Sequence, residues 1–143
     1  MGVAPGKPLE ILLIEDNPAD VRMTQLALDV AGMSYRLHVA GSGEEGLMFL
    51  LHDGEFAAAP RPDLVLLDLK LPKANGFGVL GAIRTHHQMK DLVVVIFTGS
   101  SLKQDEAQSY RADANVFMTK PMGLEEYVAA IRRICELVKP ALQ

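Results

Sequence analysis

Three short and almost uninterrupted apolar runs constrain the fold of this chain more than any other feature of its sequence. They are LEILLIE at 9–15, DLVLLD at 63–68 and LVVVIFT at 92–98. A strand that is apolar along its whole length is typical of a parallel sheet covered by helices on both faces. Segments of helical periodicity separate the runs, and this alternation predicts the order βαβαβαβαβα.

The other predicted elements are shorter or more polar. We predict strands at 35–40 and 116–119, and helices over 18–31, 44–52, 76–87, 102–111 and 124–138. The two prolines of AAAPRP exclude regular structure there. Parallel strands joined by right-handed helical crossovers form a doubly wound α/β sheet, so the fold class is a five-stranded sheet of this kind.

Length and composition limit the class of protein. A chain of 143 residues with 49% apolar residues is expected to form one domain. The net charge of −4 argues against nucleic-acid binding. No apolar run approaches the ~20 residues that span a membrane, and the first ten residues lack a signal-peptide pattern, so we expect a cytoplasmic protein. The single cysteine, Cys135, excludes an internal disulfide, and a buried inert thiol is expected there.

Four of the five predicted strands end in residues that can take part in chemistry. Strand one ends in Glu15-Asp16, strand three in Asp68, strand four in Thr98 and strand five in Lys120. In a doubly wound sheet the ligand site lies outside the carboxyl ends of the strands, so we expect these side chains to converge. Acids brought together in a partly buried site repel one another unless a cation compensates their charge.

The residue types at these strand ends predict a metal ion and a phosphoryl group. Carboxylate oxygens suit a hard ion such as Mg²⁺, which also binds phosphoryl oxygens. The ammonium group of Lys120 and the hydroxyl of Thr98 would complete the surroundings of a phosphoryl group. No Ser–His or Cys–His pair lies at these ends, so a nucleophile there has to be a carboxylate.

Four motifs at the strand ends resemble those of the response-regulator receiver domains of two-component signalling. They are IEDNP, LLDLKLPKANG, VVVIFTGSS and ANVFMTKP, which follow one another at the spacing of that family. The resemblance covers Leu9 to about Val138. It implies a flavodoxin-like receiver fold with strand order 2-1-3-4-5, a receiver domain over 8–140 and no output domain. The small residues, proline and glycines of 1–7 predict a flexible N-terminal segment.

The resemblance also implies a role for each matching residue. Asp68 would be the phosphoacceptor. Asp16 would ligate Mg²⁺ or Mn²⁺ directly and Glu15 largely through water, while Asp68 and the backbone carbonyl of Lys70 would supply further metal ligands. Lys70 is a departure that could either steady the phosphoryl group or hinder an incoming water.

The same resemblance implies how a phosphoryl group is held and sensed. Thr98 and the backbone N–H of Gly99 would contact the phosphoryl oxygens, and Lys120 would pair with the phosphoryl group. The peptide bond before Pro121 would be cis. Phe117, three residues before Lys120, would be the switch aromatic, although an aromatic residue there is equally typical of plain core.

Two segments resemble the small stand-alone regulators that pair with phytochrome-type histidine kinases. They are EDNPADVRMTQ and the long GEFAAAPRPDLVLLDL stretch that leads into strand three. The expected partner is therefore a histidine kinase of the bacteriophytochrome type, and the expected output is a changed surface of helix four, strand five and helix five. The last helix has more apolar positions than one core-facing stripe needs, which suggests a homodimer. Those positions are Val128, Ile131, Ile134, Cys135, Leu137 and Val138.

Other interpretations of the motifs remain open. A phosphohydrolase with an aspartate nucleophile typically has a second aspartate two residues after the first, where this chain has Lys70. A degenerate receiver that acts only as a scaffold is disfavoured by the intact set of acids, hydroxyl and lysine. GSGEEG at 41–46 matches a dinucleotide-binding motif, but it follows the second strand and sets two glutamates where a pyrophosphate would lie.

Overall fold

Five parallel strands in the order β2-β1-β3-β4-β5 form the centre of the protein. The computed structural model describes residues 7–73 and 75–142. The strands are β1 (Leu9–Ile14), β2 (Tyr35–Ala40), β3 (Leu64–Leu67), β4 (Val93–Thr98) and β5 (Val116–Thr119). The helices are α1 (Pro18–Val30), α2 (Gly43–Leu50), α3 (Gly76–Thr85), α4 (Lys103–Arg111) and α5 (Leu124–Val138), with short 3₁₀ turns at Gly54–Phe56 and Lys139–Leu142.

The predicted fold class and strand order are confirmed. No predicted boundary of a strand or helix differs from the observed boundary by more than two residues. The 3₁₀ turn at Gly54–Phe56 was not predicted, because its three residues are too few to show a periodicity. The flexible segment expected at 1–7 lies almost wholly outside the described residues. No helix in the described part of the chain combines the length and apolarity that crossing a bilayer requires.

Side chains alternate between two cores, one on each face of the sheet. In β1, Ile11 and Leu13 pack with residues of α1 and α5, whereas Leu12 and Ile14 pack with residues of α2 and α3. The same alternation holds in β3 and β4, since successive residues of a strand point to opposite faces. Burial on both faces explains why these strands are apolar at every position.

The apolar positions of α5 are largely used by the core. Val128, Ile131, Ile134 and Val138 are buried, and Cys135 is half-buried with its thiol pKa raised by burial. Leu137 is the one member of the predicted set that is exposed, at 41%. The excess of apolar positions therefore belongs to the fold itself, and it no longer supports the predicted homodimer.

The GSGEEG segment serves as a turn and a helix start. The Ser42 hydroxyl accepts a hydrogen bond from the Glu45 N–H, and the Glu45 carboxylate accepts one from the Gly41 N–H. The Ser42 half of this arrangement is that of a capping box, while Glu45 reaches one residue beyond the N-cap, and both bonds occupy donors that a pyrophosphate would need. A Cβ on Gly46 would lie 2.5 Å from Ile14 Cδ1, so this glycine lets α2 pack closely against β1.

Candidate functional site

The carboxyl ends of the central strands bring the predicted site residues together. Backbone hydrogen bonds continue one residue past each strand: the Glu15 N–H donates to Ala40, the Asp68 N–H to Ile14 and the Lys120 N–H to Thr98. These bonds fix the Cα positions at the sheet edge, because each residue extends a parallel ladder. Glu15, Asp68 and Thr98 are buried, with side chains that point into one pocket.

Lys120 connects the acids of this pocket. Its Nζ donates hydrogen bonds to Oε1 of Glu15, to Oδ2 of Asp68 at 2.9 Å and to Oδ2 of Asp20 at 3.0 Å. Burial lowers the pKa of this ammonium group, but the bonds to Glu15 and Asp68 outweigh burial and raise it above the ordinary lysine value. The group therefore stays charged, and it is surrounded by three carboxylates.

The two buried carboxylates are shifted in opposite directions. Burial raises the pKa of Glu15 to about 7. The hydrogen bond from Lys120 lowers this pKa by a smaller amount, and the negative charge of Asp68 raises it slightly further. Burial also acts on Asp68, but hydrogen bonds from the Lys120 ammonium and the Lys70 N–H hold the pKa of Asp68 below its usual value. Asp68 is thus ionised at neutral pH, as a nucleophile has to be, whereas Glu15 holds its proton more tightly than an ordinary glutamate.

Asp20 is the residue of this group that the sequence analysis missed. It lies in the first turn of α1, which begins at Pro18 after the N-cap Asn17. A side chain in the first turn of a helix lies beside the preceding strand end. The signal that could have found it is an acidic residue in the first turn directly after β1, where the helix dipole also favours a negative charge.

The structure indicates which carboxylates could hold a cation. Glu15, Asp20 and Asp68 each offer an oxygen, and these oxygens lie within 4.8 Å of one another. Such an all-oxygen set fits a hard divalent ion. Asp16, the predicted direct ligand, is exposed and is not in this group. The Lys70 side chain is also exposed, while its N–H donates to Asp68 Oδ1 at 3.1 Å.

The remaining predicted residues lie along β4 and β5. Thr98 is fully buried next to Asp68, and Gly99 follows it in the turn after β4. Phe117 is half-buried, packs against the α2 and α3 side of the core and donates its N–H to the Tyr110 hydroxyl. The peptide bond before Pro121 is trans, not cis as expected; trans is the lower-energy isomer by about 0.5–1 kcal/mol.

Comparison with known proteins then decides the family. The family model of the response regulator receiver domain matches residues 11–132, which is most of the chain. The chain belongs to this family. Response regulator Rcp1 of Synechocystis sp. (strain ATCC 27184 / PCC 6803 / Kazusa) is 35% identical to the receiver over 127 residues, which cover 89% of this chain and 86% of Rcp1.

Two solved structures are similar to the receiver along most of their length. The phosphorylated cyanobacterial phytochrome response regulator RcpA superimposes with a TM-score of 0.83 at 36% identity, covering 90% of this chain and 92% of RcpA. The Mn²⁺-bound form of Rcp1 gives a TM-score of 0.82 at 35% identity, covering 90% and 93%. The receiver is thus a two-component signalling protein related to phytochrome response regulators.

Proposed function

We propose that Asp68 accepts a phosphoryl group from a histidine kinase, in a reaction that requires Mg²⁺ or Mn²⁺. The observation that supports this most strongly is the buried pocket in which Asp68 lies beside Glu15, Thr98 and Lys120. Its carboxylate is held ionised by two hydrogen-bond donors, and an ionised carboxylate is the nucleophile that phosphoryl transfer to an aspartate needs.

The transfer makes one bond and breaks one. An oxygen of the Asp68 carboxylate attacks the phosphorus of phosphohistidine, a P–O bond forms, and the P–N bond breaks with the imidazole as leaving group. Glu15 and Asp68, with Asp16 and the Lys70 carbonyl as further predicted ligands, would hold a divalent ion, which would supply positive charge beside the transferring group. Thr98 and the Gly99 N–H donate to the phosphoryl oxygens.

Lys120 exchanges partners during this reaction. Its ammonium group occupies oxygens of Glu15 and Asp68 in the structure. A phosphoryl group on Asp68 provides new anionic oxygens for the same ammonium. Slow loss of the phosphoryl group to water then resets the receiver. The side chain of Lys70 is exposed two residues after Asp68, where it would either steady the phosphoryl group or hinder an incoming water.

The conformational change that follows phosphorylation of Asp68 is transmitted from the pocket along β4 and β5. The Thr119 hydroxyl donates to the carbonyl of Ser100 at 2.8 Å, so a movement of Thr98 toward the phosphoryl group is passed to the β4–α4 turn and β5. Phe117 follows this movement, and the surface of α4, β5 and α5 changes. That surface exposes Leu102, Tyr110 and Met122 by 56%, 47% and 97%, which gives a partner an apolar area to bind.

The proposed phosphoryl donor is a phytochrome-type histidine kinase in the cytoplasm. Support comes from RcpA and Rcp1, whose structures are similar along most of the chain. A homodimer through α5 would have to use the exposed Leu124 and Leu137 and the charged residues around them, since the other members of the predicted apolar set are at least half-buried. A phosphohydrolase is disfavoured because Lys70 stands where the second aspartate would act.

The test is labelling by acetyl phosphate and Mg²⁺, followed by separation on a phosphate-binding gel. The wild-type receiver is expected to acquire an acid-stable, base-labile phosphoryl group, and Asp68→Asn is expected to reduce labelling by about 100-fold or more, because an amide is not a nucleophile here. Asp53→Asn, at an exposed aspartate, is the matched control and should label like wild type. Equal labelling of wild type and Asp68→Asn would refute the proposal, and steady phosphate release from phosphomonoesters would favour a hydrolase.

Metal affinity is expected to depend on pH through Glu15. Its pKa of about 7 is raised above the ordinary value, so below neutral pH a metal ion has to displace a proton from this carboxylate. Affinity for Mn²⁺ should therefore fall by about tenfold per pH unit below roughly pH 7 and level off above it. Titration of free Mn²⁺ by electron paramagnetic resonance measures this. Glu15→Gln should bind more weakly and lose most of the slope. A wild-type affinity that is flat from about pH 6 to 8 would contradict the assignment.

A further inference from the structure

Asp20 lies at the outer rim of the pocket, in contact with Lys120. The Lys120 Nζ to Asp20 Oδ2 distance is 3.0 Å, close to the 2.9 Å that separates Nζ from Asp68. The Asp20 side chain is 35% exposed, whereas those of Glu15 and Asp68 are 2% and 8% exposed. Asp20 is therefore the acceptor of Lys120 that is nearest to solvent.

The backbone of Asp20 is fixed by contacts between α1 and α5. Its carbonyl accepts a hydrogen bond from the Thr24 hydroxyl at 2.9 Å, and that hydroxyl lies 3.0 Å from the hydroxyl of the buried Tyr127. Packing of the two helices thus sets the distance between Asp20 and the pocket. A carboxylate held in this way can keep a lysine at a defined place.

A divalent ion on Glu15 and Asp68 would compete with the Lys120 ammonium for the same oxygens. The ammonium hydrogen-bonds oxygens of Glu15 and Asp68, which a divalent ion would need. The lysine side chain is only 7% exposed, so an ammonium driven off these two oxygens requires another anionic acceptor nearby. Asp20 is the third acceptor that the structure already provides.

We propose that Asp20 is a positioning residue that retains the Lys120 ammonium at the pocket rim while a divalent ion occupies Glu15 and Asp68. This inference rests on the proposed function, because it takes those two residues as metal ligands. Asp20 allows metal and lysine to be present together, as transfer of a phosphoryl group to Asp68 requires. Without its charge, the ammonium remains on Glu15 and Asp68 and competes with the ion.

The test is a double-mutant cycle on Mn²⁺ affinity, measured on the full chain as free Mn²⁺ by electron paramagnetic resonance. Asp20→Asn is expected to weaken Mn²⁺ binding by about tenfold in the wild-type background. In a Lys120→Met background the same substitution is expected to change affinity by less than about threefold, because no ammonium is left to compete. Equal losses in both backgrounds would show that Asp20 acts as a ligand or a simple charge, and would overturn the proposal.

A conservative variant provides a second test that does not need Lys120→Met to fold. Asp20→Glu keeps the carboxylate, and its Mn²⁺ affinity is expected within about threefold of wild type. An Asp20→Glu affinity as low as that of Asp20→Asn would overturn the proposal. Failure of the proposed function gives a different result: a wild-type receiver that binds Mn²⁺ no better than Glu15→Gln or Asp68→Asn has no metal site at these residues.

Discussion

Replacing Lys120 with methionine is expected to destabilise the metal-free receiver by about 3–5 kcal/mol at neutral pH, because it leaves buried carboxylates without their cation. Lys120 contacts Glu15, Asp20 and Asp68, and its side chain is only 7% exposed. Without the ammonium the pKa values of the carboxylates rise, so the loss should shrink as pH falls and they take up protons. Urea unfolding in a metal chelator measures the effect.

Magnesium should reverse part of this loss, since a divalent ion supplies the missing positive charge. The matched control is Lys103→Met, at an exposed lysine in the first turn of α4, which is expected to change stability by less than about 0.5 kcal/mol. Two results would contradict this description of the site. One is a Lys120→Met variant as stable as wild type in chelator, and the other is a loss of stability that magnesium does not reduce.

Gly76→Ala is expected to destabilise the receiver by about 3 kcal/mol, because the new methyl group meets backbone that cannot move freely. A Cβ there would lie 2.4 Å from the carbonyl oxygen of Asp68 and 2.8 Å from Leu69 Cα. The Gly76 N–H also donates to the Leu69 carbonyl at 2.9 Å, which holds the start of α3 against the end of β3.

The same substitution is also expected to reduce phosphoryl transfer to Asp68. Moving the backbone of Asp68 displaces its carboxylate from Glu15 and Lys120, and a displacement of about 1 Å can reduce transfer by about 100-fold. Labelling by acetyl phosphate and urea unfolding measure the two effects. Gly81→Ala is the control in the same helix, with nothing within 4 Å of the new Cβ, and is expected to stabilise by about 0.5–1 kcal/mol. Similar behaviour of the two variants would contradict the close contact.

The sheet and most of the pocket could be predicted from the sequence because the two depend on one pattern. The apolar runs that form β1, β3 and β4 are buried on both faces, and parallel strands present their carboxyl ends at one edge. The predicted acids, the hydroxyl and the lysine of the pocket followed from their places at strand ends, whereas Lys70, Gly99 and Phe117 followed only from the family resemblance. This is why Asp68, Thr98 and Lys120 were found together although they are distant in the chain.

Features that depend on helix geometry could not be predicted in the same way. Asp20 reaches the pocket from the first turn of α1, and nothing in a strand-end pattern singles out that position. The letters Glu15-Asp16 do not show which of two adjacent acids points inward, and the structure buries the first and exposes the second. The apolar face of α5 could not be divided between core and partner surface before its packing was known.

Chemical location of the phosphoryl group tests most directly whether Asp68 is the acceptor. The receiver is incubated with acetyl phosphate and Mg²⁺, the acyl phosphate is reduced with borohydride, and peptides are mapped by mass spectrometry. Reduction converts a phosphorylated aspartate to homoserine, and we expect this product at residue 68 alone, only when Mg²⁺ is present. Homoserine at another aspartate, or none at residue 68 under conditions that label the protein, would contradict the proposed site.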